Sequence, residues 1–274
     1  MGPLCAHGRA YDGPMRPSLA EKSAFADSLV DVGDLTIGVR RFAPIEDGAA
    51  VTGRHYVLVH GIGTSRRYFQ PLALELAATG TVLALDLAGY GSTPKPQGNP
   101  SIAEHAAAIG LFLERERIAD PVIVGHSMGC QVVTALSVQQ PALTDRIVLI
   151  APTIEAGKNT VFEQGRRLAY DFLWESLQVN TIVFTDYLIR CRPLYFFRQL
   201  RHLLTDRIEE RLPQVVAKTL VIAARDDYVV PVEWASQVSR LVQNGRLLVT
   251  DGPHVVMYRR STEIGAQIVQ HSRS

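Results

Sequence analysis

The pentapeptide GHSMG at residues 125–129 is the feature that most constrains how this 274-residue chain folds. It stands between an apolar run at 121–124 and a helix-compatible run at 131–136. Paired glycines around a serine, between a strand and a helix, are typical of a nucleophile elbow, a turn too tight for side chains at the glycine positions. Such a turn exposes the Ser127 hydroxyl and leaves the Met128 N–H at a helix N-terminus, where negative charge is favoured. The motif therefore predicts a nucleophilic serine.

Strand-like and helix-like patterns alternate along most of the chain. Residues 29–42 are typical of an antiparallel strand pair that turns at Gly33. Apolar runs at 55–60 and 81–87 predict strands buried on both faces, and apolar residues at helical spacing over 102–113 predict an amphipathic helix. A last helix is predicted at about 258–269. The alternation predicts an α/β fold with a mostly parallel eight-stranded sheet and helices on both of its faces.

The strand–helix alternation is interrupted by a long segment of mostly helical pattern. We expect a core of residues 28–152 and 213–274, a flexible lead-in at 1–27, and a helical lid inserted at 153–212. Nine of the 20 aromatic residues fall in the insertion. These nine residues are Phe162, Tyr170, Phe172, Trp174, Phe184, Tyr187, Tyr195, Phe196 and Phe197. Aromatics there suit both the roof of an apolar substrate cavity and the core of a small helical subdomain.

A serine nucleophile needs a base, and the base needs an orienting acid. His254 is the best placed of the eight histidines, because it follows the last predicted strand and so lies at the carboxyl edge of the sheet. Asp226 and Asp227 follow another predicted strand, at 219–224, and either carboxylate can face the site while the other caps the loop. The order serine, aspartate, histidine is one of the three known triad orders.

Negative charge on a carbonyl oxygen in the transition state requires preorganised N–H donors. The HGIG sequence at residues 60–63 follows an early buried strand, and its glycines allow the backbone to turn toward the elbow. The sequence therefore predicts an oxyanion hole made of the backbone N–H groups of Ile62 and Met128.

Together these segments resemble the α/β-hydrolase superfamily. The matching motifs are HGIG (60–63), DLAGYG (86–91), GHSMG (125–129), DDYVVP (226–231) and GPH (252–254), and the resemblance runs from about Leu29 to the C-terminus. It implies Ser127 as the nucleophile, His254 as the base and Asp227 as the acid, because Asp227 stands first in the family's D-x-x-V-P pattern. Asp226 is the alternative acid, and Glu155 is a second alternative because some members carry the acid after the sixth strand.

The resemblance implies a carboxylic ester hydrolase that forms an acyl-enzyme on small to medium, largely apolar substrates. Alternatives are an acyltransferase, a thioesterase or a C–C bond hydrolase with the same triad, and a ligand-sensing receptor on the same scaffold. Val255 stands where C–C hydrolases often carry tryptophan, and Cys130 replaces a frequent glycine. No metal or organic cofactor is implied.

The composition of the chain limits which kinds of partner molecule and which compartment we expect. A formal net charge of +1 gives no reason to expect a nucleic acid, and no stretch of 18 apolar residues predicts a membrane span. Three widely separated cysteines favour a reducing compartment, so we expect a cytoplasmic protein. The expected partner is a small ester-like molecule, and the expected state is a monomer or a homodimer.

The predicted lid carries a cluster of arginines with no acid among them. They are Arg190, Arg192, Arg198 and Arg201. The cluster suits either a clamp for an anionic substrate or, as we favour, a solvated helical face paired with Glu209 and Glu210.

Overall fold

The computed structural model describes residues 25–44, 53–153 and 175–274, which include one eight-stranded sheet in the order β1-β2-β4-β3-β5-β6-β7-β8. The strands are β1 Phe25–Val32, β2 Leu35–Phe42, β3 Arg54–Val59, β4 Gly80–Asp86, β5 Val122–His126, β6 Arg146–Ile150, β7 Lys218–Ala224 and β8 Gly245–Thr250. Strand β2 runs antiparallel to both β1 and β4, and all other neighbours are parallel. The predicted fold class is confirmed.

Helices connect the strands. They are α1 Gln70–Ala77, α2 Ile102–Arg115, α3 Met128–Gln139, α4 Leu177–Thr185, α5 Pro193–Thr205, α6 Ile208–Arg211, α7 Val232–Leu241, α8 Val256–Arg259 and α9 Ser261–Arg273. A 3-10 turn at Arg66–Phe69 leads into α1, and a π-helical segment at Asp186–Cys191 joins α4 to α5. Helix α2 starts at a capping box in which Ser101 and Glu104 satisfy each other's backbone N–H groups.

The core lies on both faces of the parallel part of the sheet. Every residue of β5 is buried, as are the last four of β3 and the last six of β7. This burial explains why the sequences of these strands are continuously apolar, because a parallel strand covered by helices on both faces has no face exposed to solvent. Because β3, β5, β6, β7 and β8 run parallel, their carboxyl ends lie along one edge of the sheet. The loops that contain HGIG, Ser127, Asp227 and His254 follow β3, β5, β7 and β8 at this edge.

Helices α4, α5 and α6 lie between β6 and β7, within the predicted insertion. Helix α5 packs on the loop after β4, where the Tyr195 hydroxyl donates to the Ala88 carbonyl over 2.8 Å and Gln199 Nε2 donates to the Pro100 carbonyl over 3.0 Å. Burial of these two polar side chains against backbone carbonyls fixes which side of α5 faces the core.

Two boundaries differ from the sequence-based expectation. Strand β1 begins at Phe25, three residues inside the predicted lead-in, because Phe25 pairs with Phe42 and Asp27 forms a salt bridge with Arg40 at 2.8 Å. The last helix, predicted at 258–269, is two helices interrupted at Arg260, whose φ of −112° leaves helical geometry. Residues 1–24 of the predicted lead-in lie outside the described residues.

Candidate active site

Ser127 occupies the turn between β5 and α3 in a strained backbone conformation. Its φ is 54° and its ψ is −120°, a region that residues with side chains seldom adopt. The turn is held by the Ser127 N–H, which donates to the Ile150 carbonyl over 3.0 Å. A Cβ at Gly125 would lie 2.5 Å from the Gly129 carbonyl oxygen, and one at Gly129 would overlap the Val59 carbonyl. Both glycines are therefore required by contact with backbone.

His254 and Asp227 meet at the carboxyl edge of the sheet. His254 Nδ1 lies 2.8 Å from Asp227 Oδ2, and both side chains are buried. The other carboxylate oxygen, Oδ1, accepts the N–H groups of Val229 and Val230 over 2.7 and 2.8 Å. These two bonds hold the carboxylate in place, so that Oδ2 accepts from His254 Nδ1. In this tautomer the proton is on Nδ1, and Nε2 carries the lone pair of the ring.

The neighbouring carboxylate, Asp226, has a different set of contacts. Asp226 is exposed, its Oδ2 accepts the Gly252 N–H over 3.1 Å, and its own N–H donates to the Gly252 carbonyl over 3.1 Å. It therefore holds the loop that carries His254, whereas Asp227 contacts the imidazole itself. The other alternative acid, Glu155, lies outside the described residues.

A buried hydrogen-bond chain joins the elbow to the loops on either side of it. The Gly61 N–H donates to the Tyr68 hydroxyl over 2.8 Å, and Tyr68 lies 2.9 Å from His126 Nδ1. His126 Nε2 lies 3.1 Å from the His254 carbonyl, which can only accept, so Nε2 carries the proton and Nδ1 accepts from Tyr68. Burial holds the pKa of His126 well below its ordinary value, which keeps the ring neutral, as this pattern requires.

The loop at residues 60–63 lies against Ser127. A Cβ at Gly61 would be 3.1 Å from the Ser127 Cβ, so the two backbones approach as closely as a glycine permits. His60 supports this loop through both of its ring nitrogens: Nδ1 donates to the Gly61 carbonyl over 2.7 Å, and Nε2 accepts the Leu87 N–H over 3.1 Å. Ile62 is the next residue of the same loop. Met128, the other predicted donor, is the first residue of α3, so its N–H has no acceptor within the helix.

The insertion contacts this loop through aromatic and charged side chains. A Cβ at Gly63 would lie 2.9 Å from the Phe196 ring and 3.7 Å from the Tyr187 ring, which pack edge to face at 4.8 Å. The buried Asp186 carboxylate accepts from the Ser65 hydroxyl and, over 2.9 Å, from Arg67. These contacts hold the insertion against the segment that follows the HGIG motif.

A second contact joins the insertion to the loop that carries His254. Glu175 is buried, and its Oε1 accepts the N–H of Val255, the residue after His254, over 2.8 Å. An insertion carboxylate thus supports the backbone next to the imidazole.

Two residues that hold the site together, Tyr68 and Asp186, were missed by the sequence reasoning. Nothing in the sequence around Tyr68 indicates its hydrogen bonds, because its partners Gly61 and His126 are not its neighbours in the helical pattern. A tyrosine at that position is equally well explained by packing in the core. Asp186 did carry one: it is a single acid between the apolar residues 182–184 and 187–189, a setting typical of a buried ion pair.

The four arginines of the predicted cluster differ in their contacts. All four arginines are exposed, and Arg190 Nε also lies 3.4 Å from the buried Asp186 carboxylate. Glu210, expected to pair with the cluster, lies 2.9 Å from Arg207 instead, because both residues lie at one end of the short helix α6.

The remaining predicted features are placed as follows. The insertion aromatics Phe162, Tyr170, Phe172 and Trp174 lie outside the described residues, and Phe184 and Phe197 are exposed. Cys130 is fully buried beneath the elbow, and its thiol contacts the carbonyls of Gly125 and Ile150. Asp86, the first residue of the DLAGYG motif, is buried and accepts from Arg66 and from the Ser92 N–H, so it holds the turn after β4.

Within residues 25–44, 53–153 and 175–274, no group of three or more His, Cys, Asp or Glu side chains is arranged to hold a metal ion. None of the helices in those same ranges combines the length and the apolar character needed to cross a membrane.

A strained serine elbow, an aspartate–histidine pair and a glycine-rich loop at one edge of a mostly parallel sheet define an α/β hydrolase. A family model described as the alpha/beta hydrolase family matches residues 56–266, so the chain belongs to this family and is a hydrolase by class.

Similarity to individual proteins is partial in sequence and extensive in fold. The chain is 29% identical over 133 residues to 2-(acetamidomethylene)succinate hydrolase of Mesorhizobium japonicum, covering 48% of this chain and 45% of that protein. It is 34% identical over 114 residues to sn-1-specific diacylglycerol lipase ABHD11 of Xenopus laevis, covering 39% and 36%. The matches therefore span less than half the length of these curated relatives. An esterase from Exiguobacterium antarcticum superposes with a TM-score of 0.79 at 13% identity, over 91% of this chain and all of that one.

Proposed function

We propose that this hydrolase cleaves carboxylic esters of small to medium, largely apolar substrates through an acyl-enzyme on Ser127. The observation that carries the proposal is the 2.8 Å contact between His254 Nδ1 and Asp227 Oδ2. It turns the Nε2 atom of the ring away from the acid, on the same sheet edge as the strained serine. A serine hydroxyl is a weak nucleophile near neutral pH unless such a base is provided.

The reaction proceeds in two halves. His254 Nε2 takes the Ser127 proton while Oγ attacks the ester carbonyl, and the resulting oxyanion accepts from the Ile62 and Met128 N–H groups. His254 then gives its proton to the leaving alcohol as the C–O bond breaks. Water repeats the sequence on the acyl-enzyme: it loses a proton to His254, attacks the carbonyl carbon, and releases the acid as Ser127 regains its proton.

Apolar substrate selectivity rests on what surrounds the loop at residues 60–63. Phe196 and Tyr187 cover Gly63, so an acyl or alcohol group that leaves the oxyanion site meets aromatic side chains. A shallow, open surface groove of about 390 Å³ lies between α4 and Tyr258 of α8, lined on the α4 side by Leu177, Gln178, Thr181 and Ile182. We propose that the insertion acts as a lid over an apolar cavity, in which aromatic walls favour alkyl chains over charged groups.

Turnover of a p-nitrophenyl ester series from acetate to dodecanoate tests this function. Wild type should hydrolyse the series with an optimum chain length that sizes the pocket, and Ser127→Ala should lower kcat by about 10⁶-fold. Ser239→Ala, a serine of α7 whose hydroxyl bonds only within its own helix, serves as the matched control and should keep full activity. Silence of the wild type on every ester would refute the proposal and favour acyl transfer, thioester or C–C bond cleavage, or ligand sensing.

A further inference from the structure

The outer surface of the insertion exposes an unusual share of large apolar side chains. Eleven large hydrophobic residues are exposed across the part of the chain that the structure describes, and six of them fall between 177 and 197. They are Leu177, Phe184, Leu188, Ile189, Leu194 and Phe197, which we call the outer face. Leu177 is 86% exposed and Ile189 is 71% exposed. Large apolar side chains that are exposed in such number within one short stretch of chain are typical of an interaction surface.

Helical spacing explains why these side chains point away from the core. In α4 and the π-helical segment, Leu177, Phe184 and Leu188 recur at intervals of seven and four residues, on a stripe that avoids the buried Val179. In α5, Leu194 and Phe197 lie three residues apart, on the side opposite the buried Tyr195 and Gln199. Since Tyr195 and Gln199 bond to the core, the stripe opposite to them faces outward.

The same surface is positively charged. Arg192, Arg198 and Arg201 are exposed, and residues 187–205 contain no acidic residue. On helix α5, Arg198 and Arg201 follow Leu194 at i+4 and i+7 and therefore share its exposed stripe. The whole chain carries a net charge of only +1, so this concentration of cations is local.

We propose that the outer face docks on an anionic lipid surface. Its leucine, isoleucine and phenylalanine side chains enter the boundary between headgroups and acyl chains, and its arginines bind lipid phosphates. Apolar and basic residues that alternate on the exposed side of short helices suit a bilayer surface, because such a surface offers hydrocarbon and negative charge within one thin layer. The docking is peripheral. It depends on neither the triad nor ester cleavage.

Flotation of the full chain with vesicles tests the proposal. Vesicles of phosphatidylcholine alone and of phosphatidylcholine mixed with phosphatidylglycerol separate the apolar contribution from the electrostatic one. We expect binding to the mixed vesicles, weaker binding to neutral ones, and a decline as salt increases. The variants Ile189→Asp with Leu194→Asp, and Arg198→Glu with Arg201→Glu, should each weaken binding to mixed vesicles at least about tenfold. All of these residues are exposed, so the variants keep the core contacts of the wild type.

Matched controls come from elsewhere on the surface. Leu111 on α2 is 46% exposed and Arg240 on α7 is exposed, so Leu111→Asp and Arg240→Glu make the same kinds of substitution, once each, outside the outer face. They are compared with the single variants Ile189→Asp and Arg198→Glu. Both should bind vesicles as the wild type does. The proposal is overturned if the wild type does not float with either vesicle, or if the controls weaken binding as much as the outer-face variants. It is also overturned if Ile189→Asp instead dissociates a homodimer seen by light scattering, because the face would then bind a second copy.

Discussion

The imidazole of His126 is bonded to the backbone of His254: its Nε2 donates to the His254 carbonyl over 3.1 Å, and the two rings lie 4.8 Å apart. The residue before the proposed nucleophile therefore supports the residue proposed as its base. The same ring accepts from Tyr68, which accepts from Gly61 in the loop at residues 60–63. One buried chain thus fixes the relative positions of the three loops on which the proposed chemistry depends.

Breaking this chain should slow the chemical step without weakening substrate binding. Tyr68→Phe removes the hydroxyl that links Gly61 to His126, and we expect kcat to fall about 10- to 100-fold with KM within about twofold, because small misplacements of reacting groups carry penalties of this size. His126→Phe should act similarly. His126→Gln keeps one donor and one acceptor and should restore most of the rate.

Steady-state kinetics of these variants and of the Tyr68→Phe, His126→Phe double variant are the measurement. Losses in the double variant should be less than additive, since both substitutions interrupt one chain. A fall in thermal stability with unchanged kcat would show that the chain only stabilises the fold.

The two adjacent aspartates should respond differently to the same substitution. Asp227→Asn places an amide opposite His254 Nδ1, disfavours the required tautomer, and should lower kcat about 10⁴-fold. Asp226→Asn keeps an acceptor for the Gly252 N–H and should leave kcat within about twofold. Equal losses in both variants, measured with the same ester, would mean that the aspartate–histidine contact has no special part in the reaction.

The elbow glycines should tolerate no side chain. Gly129→Ala brings a methyl group into the Val59 carbonyl and should reduce the free energy of unfolding by at least about 2 kcal/mol, or prevent folding. Gly98→Ala is the control, because a Cβ there meets nothing within 4 Å. Urea denaturation of the two variants gives the comparison, and equal stability would contradict the tight packing of the elbow.

Stability should fall with acid below about pH 6.5, partly through His105. Burial lowers the pKa of this histidine to about 4, and its Nε2 lies 3.2 Å from Gln199 Oε1. Between pH 6.5 and 4 the unfolded chain binds a proton at this residue that the folded chain does not, so stability is complete above 6.5 and declines as pH falls. The loss is about 1.4 kcal/mol per pH unit from this residue alone.

Urea melts at pH 7 and pH 5 measure this effect. His105→Gln should reduce the difference in unfolding free energy between the two pH values by about 2 kcal/mol. His202→Gln, which changes a half-exposed histidine of α5, should leave the difference as it is in the wild type. No change in His105→Gln would show that His105 does not titrate between the folded and unfolded states in this range.

The fold was predictable because its main signals are local in sequence. The continuous apolar runs of β3 and β5 and the glycines at 125 and 129 each reflect a constraint within a few residues, namely burial on both faces or a turn that excludes Cβ atoms. The choice between Asp226 and Asp227 needed the motif as well, because two adjacent carboxylates on one loop differ only in which way the backbone turns them.

The supporting contacts could not be predicted from local signals. Tyr68 and His126 lie 58 residues apart, and Ser65 and Asp186 lie 121 apart, so their pairing depends on how loops from different strands meet. Two of the four clustered arginines, Arg198 and Arg201, mark the exposed stripe of α5 in the sequence. The orientation of the helix is set by Tyr195 and Gln199, whose bonds to the core appear only in the folded chain.

The central claim, that Ser127 forms a covalent acyl-enzyme, is tested most directly by mass spectrometry of the protein after reaction with an alkyl fluorophosphonate. We expect one adduct per chain, on the peptide that contains Ser127. The adduct should be absent in Ser127→Ala and should form far more slowly in His254→Ala, since the base activates the hydroxyl. An adduct on another residue, or ester turnover that survives in Ser127→Ala, would contradict it.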